Sequence, residues 1–301
     1  MRILCTGSRG VLGVPLVKRL RENGHEVWGC DLAHSGDENY IRCDVSVGSE
    51  VRRLFNTVTP QVVYHLAGEF GRLNGDKFYE RLWATNVIGT QHVIEGSRWQ
   101  GSKLIFASSS EAYGYEHAHP MIVPSVMRED DRPGRWHCQY ALSKYVNEKQ
   151  IEISGIPAVS LRFFNVFGDG EKFTPYRSVI CQFIHKMLRD EPVTAYQNMS
   201  RDFLYITDFV DTVSRVCERF DGLPPVINIG GTESMSIENL AVLIKELTQS
   251  KSEIFYLPAE QNNVRVKKPD LTLAQKYLSH DPKVSLRDGL IKTIEWMKEQ
   301  K

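Results

Sequence analysis

The sequence has no excess of charge of either sign. Its 301 residues contain 37 Lys and Arg against 37 Asp and Glu, so the formal net charge is zero. Proteins that bind nucleic acid usually carry a basic excess that neutralises phosphates. We therefore expect no nucleic-acid partner for this chain.

Long hydrophobic runs are also missing. No apolar stretch approaches the roughly 18–20 residues that a membrane-spanning helix needs. The first residues, MRILCTG, lack the apolar core of a signal peptide. We expect a protein without membrane association.

Paired cysteines and metal-binding spacings are absent as well. The six cysteines form no CxxC pair and no zinc-finger spacing. His117, His119 and His137 lack the close spacing and the partner acids of a zinc site. We therefore expect no bound metal. Free thiols are typical of a reducing compartment, which predicts a cytoplasmic location.

The sequence does contain an alternation of apolar strand-like runs with amphipathic helical stretches. This alternation indicates an α/β fold with a doubly wound parallel sheet of the Rossmann type. Strands are predicted at residues 2–5, 26–31, 40–43, 62–67, 103–108 and 158–163. Helices are predicted at residues 11–22, 49–56, 77–98, 139–153, 178–188, 208–220, 236–249 and 285–298. Beyond about residue 165 the pattern becomes less regular, which predicts a smaller C-terminal α/β lobe over the edge of the sheet.

A glycine-rich loop, TGSRGVLG at residues 6–13, follows the first strand and opens the first helix. Gly7, Gly10 and Gly13 allow a tight turn, close approach to a pyrophosphate and close helix packing. Asp31 ends the second strand, where a carboxylate binds both hydroxyls of an adenine ribose and repels a 2′-phosphate. The pattern favours NAD over NADP, although Arg9 could accommodate that phosphate. The candidate cofactor-binding residues of this loop are Gly7, Arg9, Gly10, Val11, Leu12 and Gly13.

Two further segments extend the predicted cofactor groove. Asp44 and Val45 follow the third strand and could meet the adenine. Leu66, Ala67 and Gly68 end the fourth strand, where small residues let the backbone approach the ribose and the nicotinamide.

Tyr140 and Lys144 stand four residues apart, on one face of a predicted helix. A phenol ordinarily titrates near about pH 10, and an adjacent cation favours the phenolate. Tyr140 could therefore serve as a general base, with Lys144 also binding the nicotinamide ribose. Ser109 ends the fifth strand, where its hydroxyl could hydrogen-bond the oxygen that Tyr140 deprotonates.

These pieces resemble the extended short-chain dehydrogenase/reductase family, specifically its NAD-dependent nucleotide-sugar epimerases and dehydratases. NVIGT at residues 86–90, LRFFNVFG at 161–168 and RDFLYITD at 201–208 resemble further signatures of that family. The resemblance implies an NAD-binding domain over residues 1–165, to which later segments can return, and mainly a nucleotide-sugar lobe over 166–301. It implies that Asn86 lies at the cofactor, that Asn165 and Arg201 bind the sugar diphosphate, and that Arg265 belongs to the substrate site. It also implies a homodimer through residues 77–98 and 139–153.

The reaction expected from this resemblance begins with oxidation of a sugar hydroxyl, usually at C4. The triplet of Ser109, Ser110 and Glu111 resembles that of 4,6-dehydratases and related decarboxylases. In the dehydratases the glutamate removes the C5 proton. An NDP-hexose 4,6-dehydratase is therefore the first expectation, with Ser110 beside the leaving water.

Several alternatives remain open. A 4-epimerase is the next, followed by a UDP-glucuronate-type decarboxylase and a 4-ketosugar reductase. Decarboxylases carry an arginine where this chain has Lys267, before Lys268 and Pro269. A non-enzymatic NAD-binding regulator usually lacks the tyrosine or the lysine, and both are present here. The segment 69–75, including Glu69 and Arg72, departs from the family pattern and could set specificity.

Overall fold

The structure is a computed structural model that describes residues 1–114, 126–131, 134–136, 138–259 and 264–300. His117, His119 and His137 lie outside the described residues. Residues 260–263 also lie outside them.

Short extended segments occur along the whole described chain. They are β1 (Arg2–Thr6), β2 (Glu26–Asp31), β3 (Tyr40–Arg42), β4 (Val62–His65), β5 (Lys103–Ser109), β6 (Ala158–Phe163), β7 (Val166–Phe167), β8 (Val193–Tyr196), β9 (Ser200–Asp202), β10 (Leu204–Tyr205), β11 (Val226–Ile229), β12 (Ser234–Ser236), β13 (Ile254–Leu257) and β14 (Val266–Lys267).

Helices alternate with these strands. They are α1 (Gly13–Glu22), α2 (Gly48–Val58), α3 (Arg72–Lys77), α4 (Tyr79–Leu82), α5 (Gly89–Gln100), α6 (Gln139–Ser154), α7 (Val179–Met187), α8 (Ile206–Ser214), α9 (Ile237–Thr248), α10 (Thr272–Leu278) and α11 (Leu286–Glu299). A π-helical turn (Trp83–Ile88) joins α4 to α5, and a 3₁₀ turn (Ser110–Tyr113) follows β5.

The described residues form one large parallel sheet with the strand order β11-β6-β5-β4-β1-β2-β3. Every neighbouring pair in it runs parallel. In this order β1 and β4 lie side by side, and from them successive strands are added towards opposite edges of the sheet. This is the strand order of the doubly wound Rossmann fold. The predicted fold class is confirmed.

Both faces of the sheet are covered by helices. On one face α1 and α8 pack in a buried cluster that includes Leu16 and Phe209. On the other face α2 and α5 pack in a second buried cluster that includes Phe55 and Ile94. Parallel strands that are buried on both faces read as continuous apolar runs, as the sequence of these strands does.

The C-terminal part combines small sheets with helices and also contributes to the large sheet. Its small sheets have the orders β12-β9-β14, β13-β8 and β10-β7. The strand β11, which was not among the predicted strands, pairs with β6 and extends the large sheet. The domain boundary at residue 165 stays a prediction. Residues beyond it, those of β11, do return to the large sheet.

The helix predicted over residues 77–98 is confirmed for most of its length, with a later start and an irregular middle. The structure has α4, the π-helical turn and α5 there as one helical path from Tyr79 to Gln100, preceded by α3. The path begins after Phe78, whose φ of −122° and ψ of 47° are not helical. The π-helical turn then contains Asn86, whose side chain is directed at the segment that follows β4.

No described helix combines the length and the apolar character that crossing a bilayer would require. All six cysteines are buried and unpaired.

Candidate functional site

A cleft of about 530 Å³ lies at the carboxyl ends of β1, β2, β4, β5 and β6. Ligands bind at this edge in open parallel α/β sheets. Fourteen of the residues predicted from the sequence line it: Gly7, Gly10, Val11, Leu12, Gly13, Asp31, Asp44, Val45, Leu66, Ala67, Gly68, Ser109, Tyr140 and Asn165.

The glycine-rich loop has no room for side chains at two positions. Gly7 has a φ of +69°, and a Cβ there would lie 2.6 Å from the Ala67 nitrogen. A Cβ on Gly13 would lie 2.2 Å from the Gly7 carbonyl oxygen. The loop therefore packs directly against the end of β4 and the start of α1, leaving its backbone open to a pyrophosphate.

Asp31 is held in place by backbone donors. The N–H groups of Arg9 and Leu32 donate to its carboxylate at 3.0 and 2.7 Å. The Arg9 side chain is directed at Asp37, whose carboxylate lies 3.6 Å from the Arg9 guanidinium. Both residues line a smaller neighbouring pocket. This arrangement leaves a carboxylate at the cofactor cleft and fits an unphosphorylated adenine ribose.

The neighbouring candidates also have protein partners. Asp44 accepts hydrogen bonds from the backbone N–H and the hydroxyl of Ser46. The Asn86 amide accepts from the Glu69 N–H and donates to the Glu69 carbonyl and to Ser143. Asn86 thus fixes the segment after β4, and a direct contact with the cofactor stays a prediction.

Tyr140 lies in the first turn of α6, opposite the end of β5. The N-cap residue Cys138 accepts the Ala141 N–H through its sulfur and so starts the helix at this point. Burial raises the pKa of Tyr140, whereas a hydrogen bond with Ser109 lowers it. The phenol is therefore neutral and lies within hydrogen-bonding reach of the Ser109 hydroxyl.

Lys144 is buried one turn further along α6. Its Nζ donates to the Ala107 carbonyl at 2.7 Å and lies 5.8 Å from the centre of the Tyr140 ring. Burial lowers the pKa of Lys144 to about 8, and the carboxylate of Glu148 opposes that shift. The ammonium is thus anchored at the end of β5 and close to the tyrosine, as the expected pairing requires.

A buried ion pair stands behind Lys144. The Glu148 carboxylate accepts hydrogen bonds from Arg162 at 2.7 and 2.9 Å and from the Ser108 hydroxyl at 2.5 Å. Both charged side chains are more than nine-tenths buried. Breaking such a pair is costly because it leaves an uncompensated charge, so this contact fixes α6 against β5 and β6.

His65 has a structural role in this neighbourhood. Its ring nitrogens are 2.7 Å from the Thr6 hydroxyl and 3.0 Å from the Thr90 hydroxyl. Burial, together with the nearby Lys144 charge, lowers the pKa of His65 to about 3. The ring is therefore neutral and fully hydrogen-bonded at the end of β4.

Charged side chains from the C-terminal part lie beside the turn that follows β5. Glu111, in the 3₁₀ turn after Ser109, forms an ion pair with Lys267 of β14. Lys267 lies opposite Arg201 in the pairing of β14 with β9, and both side chains are buried. Burial lowers the pKa of Arg201 to about 10, and the Glu111 charge opposes this.

The remaining predicted residues divide between this region and the surface. The Arg201 side chain donates to the carbonyl oxygens of Ser200 and Arg265. Arg265 therefore contacts Arg201 through its backbone, and Arg265 as a whole is exposed. Ser110 is buried beside Glu111. The roles of these residues toward a ligand stay predictions.

Four residues of the cleft belong to segments that the sequence indicates without a motif. Glu69 and Phe70 lie in the segment that departs from the family pattern, and Glu171 and Arg177 lie in the loop of residues 169–177, which the sequence indicates as a wall of the sugar site. Lys267, which stands where the resemblance implies an arginine in decarboxylases, is buried beside Glu111.

The fold, the glycine-rich loop and the Ser109, Tyr140 and Lys144 group together define a dinucleotide-dependent enzyme of the Rossmann class. The chain belongs to the NAD dependent epimerase/dehydratase family, whose model matches residues 3–230. The predicted family and the predicted cofactor, NAD, are confirmed.

Relatives narrow this class to enzymes of nucleotide sugars. The UDP-N-acetyl-alpha-D-glucosaminuronate decarboxylase of Bacillus cytotoxicus is 31% identical over 99% of this chain and 98% of that protein. The UDP-glucose 4-epimerase of Thermotoga maritima, solved with UDP-glucose, has a TM-score of 0.87 and 29% identity over 100% of this chain and 99% of its own. MoeE5 in complex with UDP-glucuronic acid and NAD has a TM-score of 0.84 and 29% identity over the full length of both chains. The chain is therefore an enzyme of the NAD-dependent nucleotide-sugar epimerase and decarboxylase family.

Replacing Tyr140 by Phe keeps the ring and removes the oxygen that we expect to accept the sugar proton. Because general acid–base groups contribute on the order of 100- to 10,000-fold, we expect sugar oxidation to slow by that factor while NAD binding persists. The measurement is the absorbance of reduced nicotinamide in a single turnover, with UDP-glucose and UDP-glucuronic acid as probes. Tyr145→Phe, on the same helix, is the matched control. Wild-type rates in Tyr140→Phe would contradict the assignment.

Replacing Glu148 by Gln removes the negative charge that raises the pKa of Lys144 against the effect of burial. We expect the pKa of Lys144, about 8 in the wild type, to fall further. Nitrogen-15 NMR of the lysine Nζ groups across a pH titration measures this midpoint directly. Glu152→Gln, an exposed carboxylate of α6 that pairs with Lys149, serves as the control. An unchanged or higher midpoint in Glu148→Gln would show that the ion pair does not act on Lys144.

Proposed function

We propose that this enzyme is an NAD-dependent decarboxylase of a nucleotide-linked uronic acid. The observation that carries the proposal is the buried Lys267 ammonium, paired with Glu111 directly after Ser109. A sugar with a carboxylate at C6 needs a cation near the site of C4 oxidation. Lys267 is such a cation, although a lysine lacks the planar fork of the arginine found in related decarboxylases.

The balance of buried charge supports an anionic substrate. Lys267 and Arg201 are both buried, and Glu111 is the carboxylate whose charge acts on each of them. Burying a charge is unfavourable unless it is paired. One carboxylate does not balance two cations, so the pair can accommodate further negative charge. A sugar diphosphate and a C6 carboxylate would supply that charge.

The residues around the sugar define the course of the reaction. Tyr140 takes the O4 proton, with Ser109 hydrogen-bonded to the same oxygen, as the C4 hydrogen leaves as hydride. The product is a β-keto acid, in which the C5–C6 bond breaks readily because the electron pair is delocalised onto O4 as an enolate. Carbon dioxide departs, C5 takes up a proton, and the ketone is reduced back to an alcohol. The net change is the loss of carbon dioxide and the uptake of one proton.

The residues present fit NAD as the group that drives this cycle. Gly7, Gly10 and Gly13 would hold its pyrophosphate, Asp31 its adenine ribose and Lys144 its nicotinamide ribose. When bound, NAD supplies the hydride acceptor and returns the same hydride, so that none is consumed. Lys267 holds the carboxylate in place until the bond to C5 breaks.

A 4,6-dehydratase, the first expectation from the sequence, is the second candidate. It is favoured by Ser110 and Glu111, which follow Ser109 as they do in dehydratases. In this structure an oxygen of Glu111 is occupied by the Lys267 ammonium, which leaves that carboxylate less suited to removing the C5 proton. Decarboxylation requires no such removal, and it is therefore the better match to the geometry.

Incubation with NAD and UDP-glucuronic acid should yield a UDP-pentose and carbon dioxide. Mass spectrometry distinguishes this outcome from loss of water with UDP-glucose, and proton NMR detects an inverted configuration at unchanged mass. Loss of water would establish the dehydratase, and inversion alone would establish an epimerase. Either result without carbon dioxide release would overturn the proposal.

The variants of the ion pair sharpen this experiment. Lys267→Met should weaken binding of UDP-glucuronic acid more than that of UDP-glucose, because the lost contact is made only to the carboxylate. Lys267→Arg should retain decarboxylation, since it restores the residue of related decarboxylases. Lys268→Met, an exposed neighbour, is the control.

We also propose a homodimer through α5 and α6. Ile88, Trp99 and Ile153 are 50%, 52% and 85% exposed, a high value for apolar residues. Ile88 and Trp99 are eleven residues apart, which places them on the same side of a continuous helical path. Exposed apolar residues that share a face are typical of interfaces.

Ile153→Glu should convert the dimer to a monomer, because the charge would be buried against the partner. Sedimentation velocity measures the change. Val242→Glu, at an apolar residue of α9 that is 50% exposed, is the control. A wild-type protein that sediments as a monomer would contradict the proposal.

A further inference from the structure

The helix α6 carries Tyr140 in its first turn, where a helix is held least firmly. The first N–H groups of a helix have no acceptor within the helix itself, and helix ends fray. The ion pair of Glu148 and Arg162 fixes α6 to the sheet. Glu148 is further along the helix than Tyr140, however, by about 12 Å along the axis. The position of the tyrosine therefore depends on what holds the start of α6.

The sequence of α6 supplies a weak cap at this start. The N-cap residue is Cys138, whose sulfur accepts the Ala141 N–H at 3.4 Å. Burial is the main cause that raises the pKa of Cys138 to about 11, so the group is a neutral thiol, which is a weak acceptor. Ser, Thr, Asp and Asn are the residues preferred at an N-cap. The first turn of α6 also contains no acidic residue that would favour a helix N-terminus.

A carboxylate from another element compensates for this weak cap. Asp76 of α3 accepts the Gln139 N–H at 2.9 Å. A carboxylate that accepts a backbone N–H makes a charge-assisted hydrogen bond, and its negative charge is favourable at the N-terminus of a helix. Gln139 directly precedes Tyr140, so this contact holds the backbone next to the phenol.

A glycine allows α3 to approach Tyr140 closely. A Cβ on Gly75 would lie 3.4 Å from the Tyr140 Cβ and 2.5 Å from the Leu82 Cδ1. The side chain of Gln139 is held as well, because its amide oxygen accepts the Trp83 indole N–H at 2.7 Å. The segment that runs from α3 to the π-helical turn thus contacts the first two residues of α6.

The segment that presents Asp76 is itself anchored near the end of β4. The Glu69 carboxylate accepts from the Asn74 amide at 3.1 Å and pairs with Arg81 at 2.9 Å. The Glu69 N–H donates to the Asn86 side chain at 2.8 Å. Asn74 is buried, so Asp76 lies two residues after a fixed position of the chain.

We propose that Asp76 is a positioning residue for Tyr140. Through the Gln139 N–H it keeps the first turn of α6 where the phenol meets the Ser109 hydroxyl. The inference rests on the proposed function in taking Tyr140 as the residue that accepts the O4 proton. It does not depend on the later fate of the sugar.

A spectroscopic test needs no substrate. In protein labelled with carbon-13 at the tyrosine Cζ atoms, the Tyr140 resonance is identified by its loss in Tyr140→Phe. Its shift responds to the hydrogen bond with Ser109, so we expect Asp76→Ala to move it in the same direction as Ser109→Ala does. Asp76→Asn keeps a carbonyl oxygen as acceptor and should leave the resonance near its wild-type position. An unmoved Tyr140 resonance in Asp76→Ala would overturn the proposal.

A kinetic test follows sugar oxidation through the absorbance of reduced nicotinamide, with UDP-glucose and UDP-glucuronic acid as probes. We expect Asp76→Ala to slow oxidation by about 10- to 100-fold, since a displacement of about 1 Å at the reacting groups can have an effect of this size. Asp76 does not line the cleft, so KM should stay within about twofold of the wild type. Asp76→Asn should restore the rate. A loss carried by KM instead of kcat would contradict a positioning role.

Two comparisons separate positioning from folding. Asp288→Ala removes an acidic residue from the first turn of α11, where its carboxylate accepts the Ser285 hydroxyl at 2.7 Å, and should change neither readout. The double variant of Asp76→Ala with Tyr140→Phe should be no slower than Tyr140→Phe alone, because residues that act through one another are not additive. A further loss in the double variant, or equal losses in Asp288→Ala, would overturn the proposal.

These outcomes are distinct from those that test decarboxylation. Neither the Cζ resonance nor the rate of oxidation depends on whether carbon dioxide leaves. Wild-type rates in Tyr140→Phe would overturn the role of the tyrosine and this inference together. Wild-type rates in Asp76→Ala, beside a slow Tyr140→Phe, would overturn the inference alone.

Discussion

The site depends on the need to compensate a buried ammonium. Lys144 is held by the Ala107 carbonyl at the end of β5 and by the charge of Glu148 on its own helix. Glu148 is in turn held by Arg162 of β6 and Ser108 of β5. Because each of these charges is costly when unpaired, α6 has one favourable position on the sheet. That position brings Tyr140 to the Ser109 hydroxyl.

A second set of polar contacts joins the C-terminal lobe to the same sheet edge. The Tyr113 hydroxyl donates to the Asn228 side chain at 2.8 Å, and Asn228 donates to the Met127 carbonyl at 2.9 Å. Met127 pairs with Pro269, two residues after Lys267. The turn that contains Glu111 and the strand that contains Lys267 are therefore fixed to each other.

The sequence predicts best what local chemistry dictates. Gly7 and Gly13 are identified by the glycine spacing of a tight turn, and Tyr140 and Lys144 by their spacing of four residues on a helix. All four could therefore be located from short stretches of sequence. Lys267 is 156 residues from Glu111, and only the fold brings them together. Arg177 meets Phe70 through two irregular segments that have no periodicity. The helix predicted over 77–98 begins two residues later and contains a π-helical turn, because its apolar spacing reveals neither the non-helical Phe78 nor that turn.

The central claim is that Lys267 exchanges Glu111 for the carboxylate of a uronic acid. The most direct measurement is a crystal structure of the NAD complex of Tyr140→Phe with UDP-glucuronic acid, in which turnover is slow enough to retain the substrate. The account predicts that the C6 carboxylate contacts the Lys267 ammonium and that Glu111 has moved away from it. An intact pair of Glu111 and Lys267, with the carboxylate bound elsewhere, would contradict the account.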